Sequence, residues 1–151
     1  MLQIANFADV DEIQSVLHRA FAKNAIDAYP FSAASVTEKT VNEWVSKSEV
    51  YVYKKDKVIA GVFRLNVYEE YGLVLSRLAV NPDFSGQKLG LELVSLAEKL
   101  AKACDTQQLT LKTPKEHPYL VQYYKSLGYK ESGLSFKPGD KYVEVVLSKD
   151  I

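Results

Sequence analysis

Apolar residues recur at two different periods along this chain, and the switches between them mark its elements. Val10, Ile13, Val16, Leu17, Ala20 and Phe21 stand three or four apart, the spacing that gathers side chains on one helical face. Asp9 precedes them with an oxygen for the unpaired amides of a helix start. The pattern predicts a helix over about Asp9–Ala22, after a short strand at Leu2–Ala5. Lys23 to Ser35 holds Pro30 with two aromatics, Tyr29 and Phe31, shows no period, and reads as a loop. Val36, Val41, Trp44 and Val45 then predict a second helix ending near Lys47.

The period falls to two at Glu49–Tyr53, and Val58–Val67 is rich in branched and aromatic residues, so both read as strands around the turn Lys54–Lys57. A second turn, Tyr68–Gly72, leads into a third strand at Leu73–Val80. After Asn81-Pro82-Asp83 the helical period returns. Leu89, Leu93, Leu96, Ala97, Leu100, Ala101 and Cys104 predict a long helix with Cys104 on its packed face. A short strand at Gln108–Lys112 follows, then a helix through Tyr119, Leu120, Tyr123, Tyr124 and Leu127, with Gly128 at a left-handed cap. Extended segments at Tyr129–Phe136 and Tyr142–Leu147 flank the turn Lys137–Asp140. This order predicts an α/β fold, a single domain over residues 1–151 with a mixed, mostly antiparallel sheet flanked by helices.

Composition narrows the function classes. The 151 residues are 47% hydrophobic and 25% charged, which excludes a disordered or coiled-coil chain. Nineteen basic residues balance nineteen acidic ones, so no net field draws the chain to nucleic acid or to a membrane surface. The longest apolar runs, such as Val58–Phe63, fall far short of the ~20 residues of a membrane helix. With one cysteine, and neither a basic n-region nor an apolar h-region at the N-terminus, the expectation is a cytoplasmic protein. His18 and His117 have no Cys or acid at ligand spacing, so no metal site is expected. Ser85, Ser126 and Cys104 lack the partnered base that a nucleophile needs.

The stretch from Leu78 to Gly90 runs from a strand through a glycine-bearing turn into the long helix. Amides at such a helix start point outward and favour an anion, Gly86 and Gly90 let backbone approach it, and Lys88 adds charge. By spacing alone this is either a phosphate site or an ordinary strand–turn–helix corner.

Ser85-Gly86-Gln87-Lys88-Leu89-Gly90 resembles the diphosphate loop of the GCN5-related N-acetyltransferase (GNAT) family, with Ser85 in place of the usual Arg or Gln and Lys88 in place of the first patterned Gly. Tyr119 to Tyr129 is similar to that family's segment ending in Tyr-x-x-x-Gly-Phe. The resemblance covers nearly the whole chain and implies an acyl-CoA N-acyltransferase-like fold. It implies acetyl-CoA as cosubstrate, held by Leu78, Ala79, Val80, Ser85, Gly86, Gln87, Lys88, Leu89 and Gly90. His117 falls where the family often has a cofactor-contacting Asn, and Tyr124 on the tyrosine that protonates the departing thiolate. Ser76-Arg77 occupy the strand positions where many members carry an acid, so the nearest acids are Glu69 and Glu70 in the preceding turn. Those two, with Ser76 and with Tyr29 in the aromatic loop, are the candidate contacts of a small-molecule or peptide amine. From the residues alone Glu69 and Glu70 also read as a solvated hairpin tip, Tyr124 as a core aromatic, and Tyr29 as part of a satellite core. A catalytically weak acyl-CoA binding or sensing module is the alternative to an enzyme. Edges of the C-terminal strands offer a surface for a homodimer.

Overall fold

The computed structural model describes residues 1–24, 35–117 and 119–151, so Tyr29 and the aromatic loop around it lie outside the described residues. Strands β1 (Leu2–Ile4), β2 (Val50–Lys55), β3 (Val58–Tyr68), β4 (Gly72–Val80), β5 (Gln108–Pro114), β6 (Lys130–Ser135) and β7 (Glu144–Asp150) pair in the order β1-β2-β3-β4-β5-β7-β6. The sheet is mixed and mostly antiparallel, with β4–β5 a parallel pair. Helices α1 (Val10–Asn24), α2 (Glu38–Ser46), α3 (Leu89–Ala103) and α4 (Leu120–Ser126) complete the α/β fold. The chain divides into two compact units, Met1–Asn66 with Leu75–Ala97, and Val67–Val74 with Glu98–Ile151.

In the first unit β2 lies antiparallel between β1 and β3, with Leu2 opposite Tyr53 and Val52 opposite Val62. Asp56 and Lys57 both adopt positive φ (50° and 68°), the conformation of a two-residue turn whose twist matches the flanking strands. Because so tight a turn needs only two residues, β2 continues through Lys55, beyond the predicted Tyr53. The cap of the first helix also lies earlier than Asp9. Asn6 accepts the Ala8 amide at 2.9 Å while the Asp9 carboxylate accepts the Asn6 amide at 3.0 Å, so a 3-10 turn at Phe7–Asp9 precedes α1. Thr37 caps α2 by accepting the Thr40 amide. The core joins Ile13, Val16 and Leu17 of α1, Val41 and Val45 of α2, and Val50, Val52, Ile59 and Val62 of the strands. Leu93 of α3 is fully buried and occupies the space above Gly61, where a Cβ would lie 2.7 Å from its Cδ1.

In the second unit Val74 of β4 stands opposite Thr110 of β5. β7 lies antiparallel between β5 and β6, with Leu111 opposite Leu147. Leu109, Leu111, Tyr129, Val145, Val146 and Leu147 are buried. β6 is the outer strand, and of its residues only Ser135 is buried. Cys104 departs from the helical pattern that placed it on a packed face. It is exposed, because α3 ends at Ala103 and the chain turns with Asp105 at φ 59° and the Thr106 amide on the Ala101 carbonyl (3.0 Å).

Candidate functional site

In the first unit β4 carries an interruption at the residue before Leu78. Arg77 adopts φ 53°, a left-handed conformation that L-residues take at a cost of roughly 1–2 kcal/mol. Its guanidinium lies 5.5 Å from the centre of the Trp44 ring, whose environment it shares with Arg64 at 4.7 Å. Arg64 is itself paired with Glu49, its Nε donating to Oε2 at 2.7 Å. The position where a strand acid is absent thus holds a cation packed on an indole. Beside it, Ser76 Oγ is buried with no hydrogen-bond partner among the described residues, as is Asn66 Oδ1 on β3. Ala79 is buried, while Leu78 and Val80 are partly exposed.

Asn81 fixes the exit from β4, a role its type and position in the sequence did not reveal. It is buried, donates through Nδ2 to the Ile59 carbonyl (2.9 Å) and accepts at Oδ1 from the Asp83 amide (3.0 Å) and Arg19 (3.2 Å). Its backbone amide donates to the Ala60 carbonyl at 2.8 Å. A 3-10 turn at Pro82–Phe84 follows, then an exposed stretch, Ser85-Gly86-Gln87-Lys88, in which Gly86 (φ 80°) and Lys88 (φ 57°) are both left-handed. α3 begins at buried Leu89, and its first bond in this turn runs from the Glu92 amide to the Lys88 carbonyl. The amides of Leu89, Gly90 and Leu91 therefore have no acceptor one turn back, as at any helix start. Lys55 reaches the same stretch, its Nζ donating to Gln87 Oε1 at 3.1 Å. Backbone donors, the positive end of a helix and two lysines are what a diphosphate requires.

The left-handed Lys88 is costlier than a glycine there would be. Lys88→Gly is expected to be more stable than Lys88→Ala by about 1 kcal/mol in denaturant unfolding, because both remove the charge and only Gly relieves the backbone. Equal stabilities would show that the turn is unstrained.

In the second unit α4 carries Tyr124 and is held at both ends by polar devices, with none of its own residues fully buried. His117, buried, accepts the Tyr119 and Leu120 amides at Nδ1 (3.3 Å each) and packs edge-on against Tyr119. At the far end the Gly128 amide donates to the Lys125 carbonyl and the Tyr129 amide to the Tyr124 carbonyl, with Gly128 at φ 98°. This is the paired-bond C-cap for which Gly128 was predicted. Tyr124 stacks edge-to-face on Tyr123 (5.1 Å between ring centres) and on Tyr129 (6.0 Å). Burial, then the neighbouring Tyr123, pushes its phenol up to about 12, so the hydroxyl keeps its proton at neutral pH. That hydroxyl makes no hydrogen bond among the described residues.

Glu69 and Glu70 are exposed at the β3–β4 turn, and Glu70 lies 3.8 Å from Lys137. Lys112 sits over the rings of Tyr68 and Tyr71 (5.8 and 5.1 Å), so cations of the chain itself surround this turn. Thr113 of β5 is buried, its hydroxyl without a hydrogen-bond partner among the described residues. Among the described residues no group of three His, Cys, Asp or Glu is placed to hold a metal ion. Nor is any described helix long and apolar enough to cross a membrane.

Comparison with known proteins bears on these features together. Residues 17–139 match the acetyltransferase (GNAT) domain family. The chain is 30% identical over 88 residues to an uncharacterized N-acetyltransferase, ycf52, from Gracilaria tenuistipitata var. liui, covering 58% of this chain and 47% of that protein. It thus spans about half the length of this relative. The PaiA N-acetyltransferase of Thermoplasma acidophilum, solved in complex with coenzyme A, superposes with a TM-score of 0.80 over 100% of this chain and 98% of that one, at 15% identity. The yncA protein of Salmonella typhimurium, solved with its cofactor acetyl-CoA, gives 0.75 over 99% and 92%, at 16% identity.

Proposed function

Because the chain belongs to the GNAT acetyltransferase family, we propose that it binds acetyl-CoA and transfers the acetyl group directly to an amine, both substrates being bound together. The observation that carries this reading is the passage from β4 to α3, where left-handed Gly86 and Lys88 turn the chain into a helix start whose first amides have no backbone acceptor among the described residues. The amides from Gly86 to Gly90 would hold the diphosphate, Ser85 and Gln87 flanking it and Leu89 anchoring the helix through its buried side chain. When bound, acetyl-CoA supplies a thioester whose carbonyl carbon accepts the amine nitrogen and whose sulfur departs.

The chain's own part is to orient, to donate and to return a proton. We assign the Leu78 amide, next to the left-handed Arg77, to the carbonyl oxygen as charge grows on it, and the backbone from Ala79 to Val80 to the pantetheine arm. The Ser76 hydroxyl, without a partner among the described residues, is assigned to the substrate side. Tyr124 supports the departing sulfur, because a thiol near ~8.5 leaves more readily when a protonated phenol donates to it. His117 contributes by capping the helix that carries Tyr124. The acceptor must lose its proton before attack, since an alkyl amine near ~10.4 is mostly charged at pH 7. In this proposal Glu69 and Glu70 attract the ammonium and take its proton through water; as the C–N bond forms the nitrogen's remaining excess proton leaves by the same route, while Tyr124 gives its proton to the departing sulfur and regains one from solvent.

A second reading, a weakly catalytic acyl-CoA binding module, is favoured by one observation: Arg77, packed on Trp44, stands where a base would be sought. Titration calorimetry with coenzyme A tests both readings. Wild-type chain is expected to bind and Gly90→Val to lose most of that binding, as a branched side chain enters the space left for the diphosphate. No binding by the wild type overturns both. Amine-dependent thiol release above slow hydrolysis then selects the enzyme; hydrolysis alone selects the module.

A further inference from the structure

Tyr129 occupies the position where the motif ending Tyr-x-x-x-Gly-Phe has phenylalanine, and its hydroxyl is put to use. The side chain is buried, and the O–H donates to Glu98 Oε2 on α3 at 2.8 Å. Glu98 in turn accepts Lys149 Nζ of β7 at 3.1 Å on one oxygen and 3.2 Å on the other. The same ammonium lies 5.7 Å from the centre of the Tyr129 ring. To reach Glu98 the lysine stem passes over Gly128, where an added Cβ would meet Lys149 Cε at 3.2 Å. Three elements thus converge on a two-residue segment, Gly128-Tyr129, whose amides close the C-cap of α4 and whose aromatic ring supports that of Tyr124.

We propose that Glu98, Lys149 and the Tyr129 hydroxyl form a positioning network that fixes the C-cap of α4 and thereby aims Tyr124; its catalytic half rests on Tyr124 being the acid. α4 has seven residues and none of them is fully buried, Leu120, Val121, Tyr123 and Tyr124 being half-buried, so side-chain packing alone holds it weakly. A short helix so placed is held by its ends. At this end, an ion pair that is partly shielded from water and shares its carboxylate with a buried phenol is stronger and better oriented than either contact alone. None of the three touches a substrate in this reading; they act through Tyr124.

The test uses single-turnover acetyl transfer, coenzyme A affinity and amide hydrogen exchange on the full chain. Tyr129→Phe keeps the ring and deletes the bond to Glu98. Its exchange at Gly128 and Tyr129 is expected to quicken, and its transfer rate to fall about tenfold with affinity within about twofold. That loss should vanish in a Tyr124→Phe background, since the network acts through that hydroxyl. Glu98→Gln retains an acceptor for Tyr129 and should lose less than Glu98→Ala. Unchanged exchange in Tyr129→Phe overturns the network. A rate loss that persists undiminished without the Tyr124 hydroxyl overturns its positioning role. If Tyr124→Phe alone transfers at the wild-type rate, the acid assignment and the catalytic half fall together, and the exchange result decides the cap on its own.

Discussion

Tyr124→Phe is expected to lower the transfer rate by about 10²-fold while coenzyme A affinity stays within about twofold. The substitution is clean because the ring contacts with Tyr123 and Tyr129 are kept and no hydrogen bond to another described residue is lost. Folding stability should therefore change little. Single-turnover kinetics is the measurement, since slow product release would mask a change in chemistry. A steady rate with a lowered melting temperature would make the hydroxyl structural. The raised phenol also predicts an alkaline effect on stability. Between pH 10 and about 12 the unfolded chain releases this proton and the folded chain keeps it, so the unfolded state binds fewer protons and stability falls as pH rises. Below pH 10 both states hold the proton and the contribution is constant. Tyr124→Phe should flatten that part of the alkaline decline.

Leu93→Ala is expected to destabilise by about 3 kcal/mol, in the range of fully buried leucines. Gly61→Ala should also destabilise, by about 1–3 kcal/mol, because the new methyl meets Leu93 Cδ1 at 2.7 Å in a packed interior. The double variant should be more stable than the sum of the two losses, since the alanine methyl enters the space that the shortened leucine leaves. Strict additivity in urea unfolding would show that the two residues do not share a contact. The pair bears on the proposed cofactor site because α3, packed through Leu93 against Gly61, presents its first amides at the candidate diphosphate turn.

Regular elements were legible wherever burial imposes a period. The face of α1 through Ile13, Val16 and Leu17, the alternation of Val50 and Val52, and the cap at Gly128 all lie where the pattern puts them. Boundaries shifted where backbone conformation rather than hydrophobicity decides. The left-handed pair Asp56-Lys57 shortens a turn, and Asn6 takes over a cap from Asp9. Cys104 shows the limit of period reading, since a helix that stops one residue early leaves its last apolar position in water. The loop and Tyr124 stand out by local motif, and their roles are part of the proposed function. Asn81, the Arg77–Trp44 stack and the Glu98–Lys149–Tyr129 network do not stand out, because each joins residues far apart in sequence with no periodic signature.

The exposed position of Cys104 also bears on any chemistry that follows free thiol. The chain contains one cysteine, and it stands in the turn after α3, open to solvent. Each molecule therefore presents one sulfur of its own to an electrophilic thiol reagent, a stoichiometric signal that arises without turnover and adds to that of released coenzyme A. The two differ in kind: the protein's signal saturates at one equivalent, whereas a catalytic product continues to accumulate. Cys104→Ser removes that equivalent at an exposed turn position, so the accumulating thiol is left as the sole reporter of acyl transfer.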